Sequence, residues 1–508
     1  MSYVFPRRPA SFEGFVHREG TSLVDGTGHP LLLRGMGIGN WLLPEGYMWK
    51  FGPGAESPRE IEALVVRLLG EAPAESFWRR FRDTFFAEAD VARIAASGFD
   101  HLRLPINSRV IWTDDGQPIA EGLALIDRVI EWCRAHRLWV LLDLHGAPGG
   151  QTGTNIDDSP HNLPELFQQP GYRAQTVALW RFLAERYAAE TVVMGYDLLN
   201  EPIPNEWQHV YRDDLAALYR DITAAIREVD RDHLIVYEGA HWATNWDLFT
   251  EVWDENSALQ FHKYWSPPDT ATIRKFLETR ERLQLPIYMG EGGENTTEWL
   301  YTAFRLFESH DIGWNFWPWK KIDTVTSPVS ITAPDGWDRV LAAVSSGDQV
   351  DDAPAIFAQL LENLRLEKCV WRPEVVAAIT AQAPAQLPAW GFGFRGEGSS
   401  YATENATPLP GLRDDDAVTI VFNAGGSRDV TGNFEQTDGR DYTASELLVV
   451  ELAAGDWLEY EVDGVTDAAA VFARDAHGAP VPATITATER GLRVTAQQPL
   501  RFARLLLP

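Results

Sequence analysis

"VMGYDLLNEP", residues 193–202, decides how the chain is read. It opens as an apolar run of the kind a strand shows when both its faces are buried, and it closes on Asn200, Glu201 and Pro202. Pro202 has no N–H to give to a sheet and biases Glu201 away from helix, so the strand must stop here. Two polar side chains are therefore set at a strand's carboxyl end.

Seven further runs share this character: "PLLLRG" (30–35), "FDHLRLP" (99–105), "WVLLDLHG" (139–146), "HLIVYEG" (233–239), "ALQFHKY" (258–264), "PIYMGEGG" (286–293) and "IGWNFWPW" (312–319). Between them lie segments with apolar residues at three- and four-residue spacing, such as "EGLALIDRVIEWCRAH" (121–136) and "RDDLAALYRDITAAIREV" (212–229). Eight such units predict an α/β fold, a closed (β/α)8 TIM barrel. The alternative is an open doubly wound sheet, which wants a Gly-rich phosphate turn leading into a helix. "RGMGIGNW" (34–41) contains GxGxG, but Trp41 and "LLPEG" follow it instead of a helix start.

Residues 57–97 read as a helical insert between the first two strands, and 320–380 as loops and a last helix closing the barrel. A stretch rich in Pro, Gly and Ala (381–400) marks a change of composition. Short strand-like runs follow, among them "VTIVF" (418–422), "LLVVEL" (447–452), "WLEYEV" (457–462), "AAVFAR" (469–474) and "LRFARLLL" (500–507). The expected organisation is a barrel over 1–385 and a C-terminal β-sandwich over 386–508. In "GDWLEYEV" (455–462), Leu458, Tyr460 and Val462 are expected in the core, with Glu459 and Glu461 facing water.

The net charge of -29 argues against nucleic acid and anionic membranes as partners, because phosphate binding needs clustered Lys and Arg. The two cysteines, Cys133 and Cys369, form no metal or redox motif. The first fifteen residues lack a continuous apolar segment and no run is long enough to span a membrane, so the expected location is cytoplasmic, or secreted if a leader has been removed. Twenty tryptophans, many beside polar residues as in "GAHWATNW" and "NFWPWKK", offer flat faces suited to sugar rings, with core filling as the other use.

In a barrel of this kind chemistry sits at the carboxyl ends of the strands. Asn40, Glu45, Arg103, Asn107, His145, Asn200, Glu201, His262, Tyr264, Glu291 and Trp317 fall there. Two carboxylates, Glu201 and Glu291, occupy equivalent places on the fourth and seventh strands, as a glycosidase requires: one protonates the leaving oxygen and the other attacks the anomeric carbon. Arg103 beside Glu291 is expected to keep it ionised. A metal site is the competing reading of two His with carboxylates, but neither HxH nor HExxH occurs.

"LLNEP" with a strand-end Glu ninety positions on in "PIYMGEGG" resembles glycoside hydrolase family 5, as do "LRLPIN", "LHGAPGGQTG", "FHKY" and "NFWPWK" in the same order over roughly 30–320. The resemblance implies that Glu201 is the acid/base, Glu291 the nucleophile and Asn200 the residue holding the sugar 2-hydroxyl. It implies that Arg103, His145, His262 and Tyr264 support the nucleophile and that Trp317 floors the −1 subsite. Neither cofactor nor metal is implied. "GMGIGNWLLPEGYMW" is similar to the branch of exo-β-1,3-glucanases, steryl β-glucosidases and endoglycoceramidases, where Glu45 would bind a terminal glucose. Asn40 and "LLPEGYMW" depart from the exo-glucanase pattern, as does the C-terminal sandwich.

Three readings follow. The first is a retaining exo-β-glucosidase acting on a β-linked glucoside or oligosaccharide. The second is release of an intact oligosaccharide from a lipid, steroid or phenolic aglycone, with Trp242, Trp246 and Trp265 lining an apolar groove. The third is a non-catalytic carbohydrate-binding protein.

Overall fold

The computed structural model describes residue 9 and residues 11–404, 406–435, 439–464 and 472–508. The opening "MSYVFPRR" and the first part of the expected strand 469–474 lie outside these residues.

Eight strands close a parallel barrel: β1 (Arg34–Gly37), β2 (His101–Asn107), β3 (Trp139–Gly146), β4 (Val193–Asp197), β5 (Leu234–Glu238), β6 (Ser257–His262), β7 (Ile287–Gly293) and β8 (Gly313–Trp317). Each pairs with its sequence neighbours and β8 returns to β1. Every residue of β2 through β7 is buried, which is why these segments read as continuous apolar runs and not as alternation.

Two boundaries differ from expectation. In the first run Pro30–Leu31 pairs with an N-terminal hairpin, and the barrel strand starts only at Arg34. Pro30 lacks the donor that a strand paired on both sides needs. In the fourth run the ladder ends at Asp197, so Asn200 and Glu201 project from the loop just beyond it.

The insert forms three helices, α1 (Pro58–Leu69), α2 (Glu71–Phe85) and α3 (Glu88–Ala96). Ser57 and Glu60 make a reciprocal cap that starts α1. On α2, Phe77, Phe81 and Phe85 share the buried face. Trp49 stacks on Phe81 at 5.1 Å and on Trp337 at 6.4 Å, so several tryptophans of the chain are core filler.

Residues 320–380, expected as loops and a last helix, hold a small sheet (Lys320–Ile322, Val329–Ile331, Val370–Trp371) and three helices (Trp337–Ser346, Ala353–Asn363, Pro373–Thr380). Among the described residues three further small sheets follow. The strands in order are Ala385–Pro388, Arg504–Leu507, Phe472–Arg474; Tyr401–Ala402, Trp457–Glu461, Gly491–Thr495, Thr484–Ala487; and Thr419–Phe422, Leu448–Leu452, Leu500–Phe502. Leu458, Tyr460 and Val462 enter the core as the alternation predicts. Glu459 does not face water. It is 8% exposed and accepts from Arg493 Nη2 at 2.9 Å, because Arg493 on the neighbouring strand folds over this face and covers the Trp457 ring.

The helix Thr297–Ser309 is sandwiched between barrel and C-terminal sheets and is buried from Trp299 to Glu308. Tyr301 donates to the Glu461 carbonyl at 3.0 Å. Glu308 accepts from Arg34 Nε at 2.8 Å, Arg305 Nη1 at 2.5 Å and Trp314 Nε1 at 2.9 Å. Arg34 also reaches Asp463 at 3.2 Å, so one buried cluster ties β1, the covering helix and the C-terminal unit together. Glu308→Ala leaves two guanidinium groups short of their central partner and should destabilise the fold by about 3–5 kcal/mol. Denaturant unfolding checks this, and a loss near zero would show that the cluster is not a structural tie.

Candidate active site

Residues two apart on a strand share a face, and that periodicity builds the site. On β3, Asp143 and His145 point the same way, as do Gln260 and His262 on β6. Arg103 rises from β2 into the centre of the barrel with no exposed surface. Its Nε donates to Asp197 at 2.8 Å and its Nη1 to Glu291 at 2.6 Å. Its Nη2 serves Asn200 at 2.8 Å and Glu238 at 3.0 Å, with Asp143 3.2 Å away.

Asn200 passes this order onward. With its Oδ1 accepting from Arg103, its Nδ2 faces His145 Nε2 at 3.2 Å. That contact makes His145 Nε2 an acceptor and puts the ring proton on Nδ1, which donates to Asp143 at 2.7 Å. Burial lowers the His145 pKa to about 4, so the ring is neutral over the physiological range. Its face stacks on Trp317, with centroids 5.3 Å apart and planes at 10°. Trp317 is in turn held by donation of its Nε1 to Tyr47 at 3.0 Å.

His262 has the opposite charge state. Burial works against protonation, but Glu238, Glu291 and a hydrogen bond to Glu201 outweigh it and raise its pKa well above the ordinary value. Its Nδ1 lies 2.7 Å from Glu201 Oε1 and its Nε2 3.3 Å from Glu238. Glu238 Oε2 also accepts the Glu201 backbone N–H at 2.7 Å, which fixes Glu201 in a left-handed conformation at φ 42°. Gln260 donates to Asp197 at 3.0 Å and to Glu238. A Cβ on Gly290 would lie 1.9 Å from the Gln260 amide, so the residue before Glu291 must be glycine.

Glu291 receives Arg103 on Oε2 and the Tyr264 hydroxyl on Oε1 at 2.7 Å. Burial nevertheless raises its pKa, Glu201 adds to the rise, and His262 and Arg103 oppose it. Arg103 thus favours the ionised form of Glu291, as a neighbouring cation should, while burial acts the other way and is the larger effect. Burial also pushes Asp143 up to about 8 and raises Asp197 well above its ordinary value.

One ligand atom each from Glu201, His262 and Glu291 lie within 4.8 Å of one another. The trio has the donor types of a cation site, but hydrogen-bond donors already engage both oxygens of Glu291 and one is a guanidinium. A cation would face that positive charge at close range, so the residues do not fit a metal.

Of the expected residues, Arg103, His145, Asn200, Glu201, His262, Tyr264, Glu291 and Trp317 form this single constellation. Glu45 belongs to its wall: it is 3% exposed, burial together with Glu291, Glu294 and Glu201 raises its pKa well above the ordinary value, and its Oε1 has no hydrogen-bond partner among the described residues. Asn40 and Asn107 instead shape loops. Asn40 Oδ1 accepts the Glu45 N–H at 3.2 Å and Trp49 Nε1 at 2.6 Å, and Asn107 donates to Asp158 at 3.0 Å. Trp246 is core, 5% exposed and packed on Phe276, so it lines no groove. Asp143, Asp197, Glu238, Gln260, Tyr47 and Glu294 were missed, and for Asp143 and Gln260 the two-residue spacing to a site histidine was the available signal.

Fold and site together bring two carboxylates, Glu201 and Glu291, to the mouth of a closed parallel barrel. Residues 71–323 match the family model described as cellulase (glycosyl hydrolase family 5). The barrel of this chain belongs to glycoside hydrolase family 5. The β-xylosidase of Phanerodontia chrysosporium is 34% identical over 251 residues, covering 48% of this chain and 51% of that protein. Endoglucanase C of Acetivibrio thermocellus is 28% identical over 314 residues, 49% of this chain and 88% of its own length. A probable glucan 1,3-beta-glucosidase A of Aspergillus fumigatus is 32% identical over 238 residues, 46% of this chain and 56% of its own. The chain thus spans about half the length of the β-xylosidase and of the glucan glucosidase it matches. No helix among the described residues is long and apolar enough to cross a membrane.

The two histidines carry opposite charges by this account. Imidazole NMR should find His145 neutral and protonated on Nδ1 at about pH 6, and His262 doubly protonated. A charged His145 at that pH would contradict the chain of contacts from Arg103.

Proposed function

We propose that the chain is a retaining β-glycoside hydrolase, with Glu201 as acid/base and Glu291 as nucleophile. The observation that carries this reading is the approach of the two carboxylates, whose ligand atoms lie within 4.8 Å. Retention wants carboxyl groups about 5–5.5 Å apart, whereas inversion needs about 6.5–9.5 Å to admit a water. Glu291 attacks the anomeric carbon as the glycosidic C–O bond breaks, and the Glu201 proton passes to the leaving oxygen. Water then gives its proton to Glu201, its oxygen bonds the anomeric carbon and Glu291 is released. Asn200, fixed by Arg103, presents its amide toward the sugar's 2-hydroxyl, and Trp317 supplies an aromatic floor.

The substrate we favour is a β-glucosyl unit at the end of an oligosaccharide or on an aglycone. Glu45 supports this, because a buried carboxyl with an unpartnered oxygen beside the pair suits the hydroxyls of a terminal sugar. Release of an intact oligosaccharide from an apolar aglycone is the second reading. It draws on Trp265, which is 41% exposed and 5.4 Å from the Tyr264 ring, with half-buried Trp242 nearby in sequence to Trp246 and outside the core. A purely carbohydrate-binding role is disfavoured, since binding alone does not call for two carboxylates placed this closely.

Glu201→Ala should lower turnover of aryl β-glucosides by about 10²–10⁴-fold, and Glu291→Ala should abolish it while azide restores an inverted glycosyl azide. Near-normal rates in either variant would sink the assignment. Tyr264→Phe removes a donor to the charged form of Glu291, so the acidic limb of kcat/KM against pH should move to higher pH. An unmoved limb would show that Glu291 is not the group titrating there.

A further inference from the structure

The backbone that carries Glu201 is strained, and so is the loop beside it. Glu201 lies at φ 42° and Ile203 at φ 65°, in the left-handed region that is least favourable for a β-branched residue such as Ile203. In the loop after β5, His241, Trp242 and Ala243 follow one another at φ 51°, 56° and 63°. The two loops meet where the His241 N–H donates to the Ile203 carbonyl at 2.8 Å. Non-glycine residues persist in this conformation only where their surroundings over-determine them. The loop after β4 therefore needs a second support on the side away from His241.

Gln151, in the "LHGAPGGQTG" stretch after β3, supplies it. Its side chain has no exposed surface and reaches between the ends of β3 and β4. Its Oε1 accepts the Ala147 N–H at 3.1 Å, and its Nε2 donates to the His145 carbonyl at 2.7 Å and to the Asn200 carbonyl at 3.0 Å. One N–H and two carbonyls allow only this orientation of the amide. The Gln151 carbonyl in turn accepts the Ile203 N–H at 3.2 Å. Gln151 thus grips the chain just before Glu201 and again two residues after it, while Glu238 takes the Glu201 N–H between those points. The grip is itself fixed. Gly150 turns the chain at φ 78°, and a Cβ there would lie 2.3 Å from the Ser159 Cβ. Buried Asp157 accepts the N–H groups of Thr152 at 2.6 Å, Gly153 at 3.0 Å and Ser159 at 3.0 Å.

We propose that Gln151 is a positioning residue for Glu201: by holding the Asn200 carbonyl and the Ile203 N–H it keeps Glu201 in its left-handed conformation, with the carboxyl on His262 Nδ1. The effect on rate rests on the reading of Glu201 as acid/base; the effect on orientation does not. Gln151 touches no reacting atom, and its route to the chemistry is the aim of one carboxyl. A residue that aims an acid matters in proportion to how much the leaving oxygen needs a proton. A residue that only braces the barrel slows every substrate alike.

The test uses the full chain with Gln151→Met, which removes all three side-chain bonds at similar volume. Gln151→Glu, which keeps an acceptor for Ala147 and loses the amide donors, takes its place if the first variant does not fold. Two readouts are taken. In kinetics, kcat/KM is compared for phenyl β-glucoside, whose leaving group needs a proton, and for 2,4-dinitrophenyl β-glucoside, whose leaving group does not. The phenyl substrate should lose roughly tenfold while the dinitrophenyl substrate stays within about twofold. Glu201→Ala should show the same selectivity, larger. In imidazole NMR, the His262 Nδ1–H signal should shift as Glu201 Oε1 moves away. Equal losses on both substrates, or no loss on either, with Glu201→Ala still selective, overturn the inference and leave the acid/base reading standing. A Glu201→Ala variant without selectivity overturns the acid/base reading, and the NMR signal then decides the positioning: a shift upholds it and an unmoved His262 overturns it.

Discussion

The fully buried guanidinium of Arg103 is the contact on which the rest of the barrel's mouth depends. It addresses Asp197, Glu291, Asn200, Glu238 and Asp143 from a single planar fork. A lysine could not do this, since its point charge has no fixed geometry for several acceptors at once. Each consequence runs through hydrogen-bond direction. Because Asn200 must give its oxygen to Arg103, its amide faces His145; because His145 must then accept, its proton goes to Asp143; and the neutral ring can lie against Trp317.

The same core holds more negative groups than positive ones. Asp143, Asp197, Glu201, Glu238 and Glu291 crowd around one arginine and one imidazolium. Such a set cannot be fully ionised out of water, and the raised pKa values of Asp143, Asp197 and Glu291 are its response. Glu238 is the exception, held below its ordinary value because His262 and Arg103 overcome its burial.

The barrel was legible because its strands are buried on both faces and end near polar residues, and each of the eight runs contributed to one barrel strand, the first of them only from Arg34. The acid pair was legible because Pro202 and the glycines of "GEGG" pin it to strand ends. What could not be read was depth. Asp143, Asp197, Glu238 and Gln260 sit among apolar neighbours and look like scattered polar residues until the closed barrel points them at one centre. Nor does alternation reveal what covers a sheet: Glu459 alternates toward water, yet Arg493 donates to it while lying over the Trp457 ring. Trp246 reads like an exposed aromatic in "GAHWATNW" and is core, because Phe249, Phe261 and Phe276 converge on it.

The C-terminal sheets reach the neighbourhood of the pair as well as bracing the barrel. Asn295, four residues past Glu291, donates to the Phe434 carbonyl at 3.1 Å, and Thr296 meets the Tyr442 hydroxyl at 3.1 Å. The loop that follows the proposed nucleophile is thus shared between both parts of the chain. The most direct measurement of the central claim is trapping with a 2-deoxy-2-fluoro-β-glucosyl fluoride, followed by mass spectrometry of the digested protein. The account predicts one covalent sugar per chain, attached to the peptide containing Glu291. A sugar on any other carboxylate, or turnover of the reagent with inversion and no adduct, would contradict it.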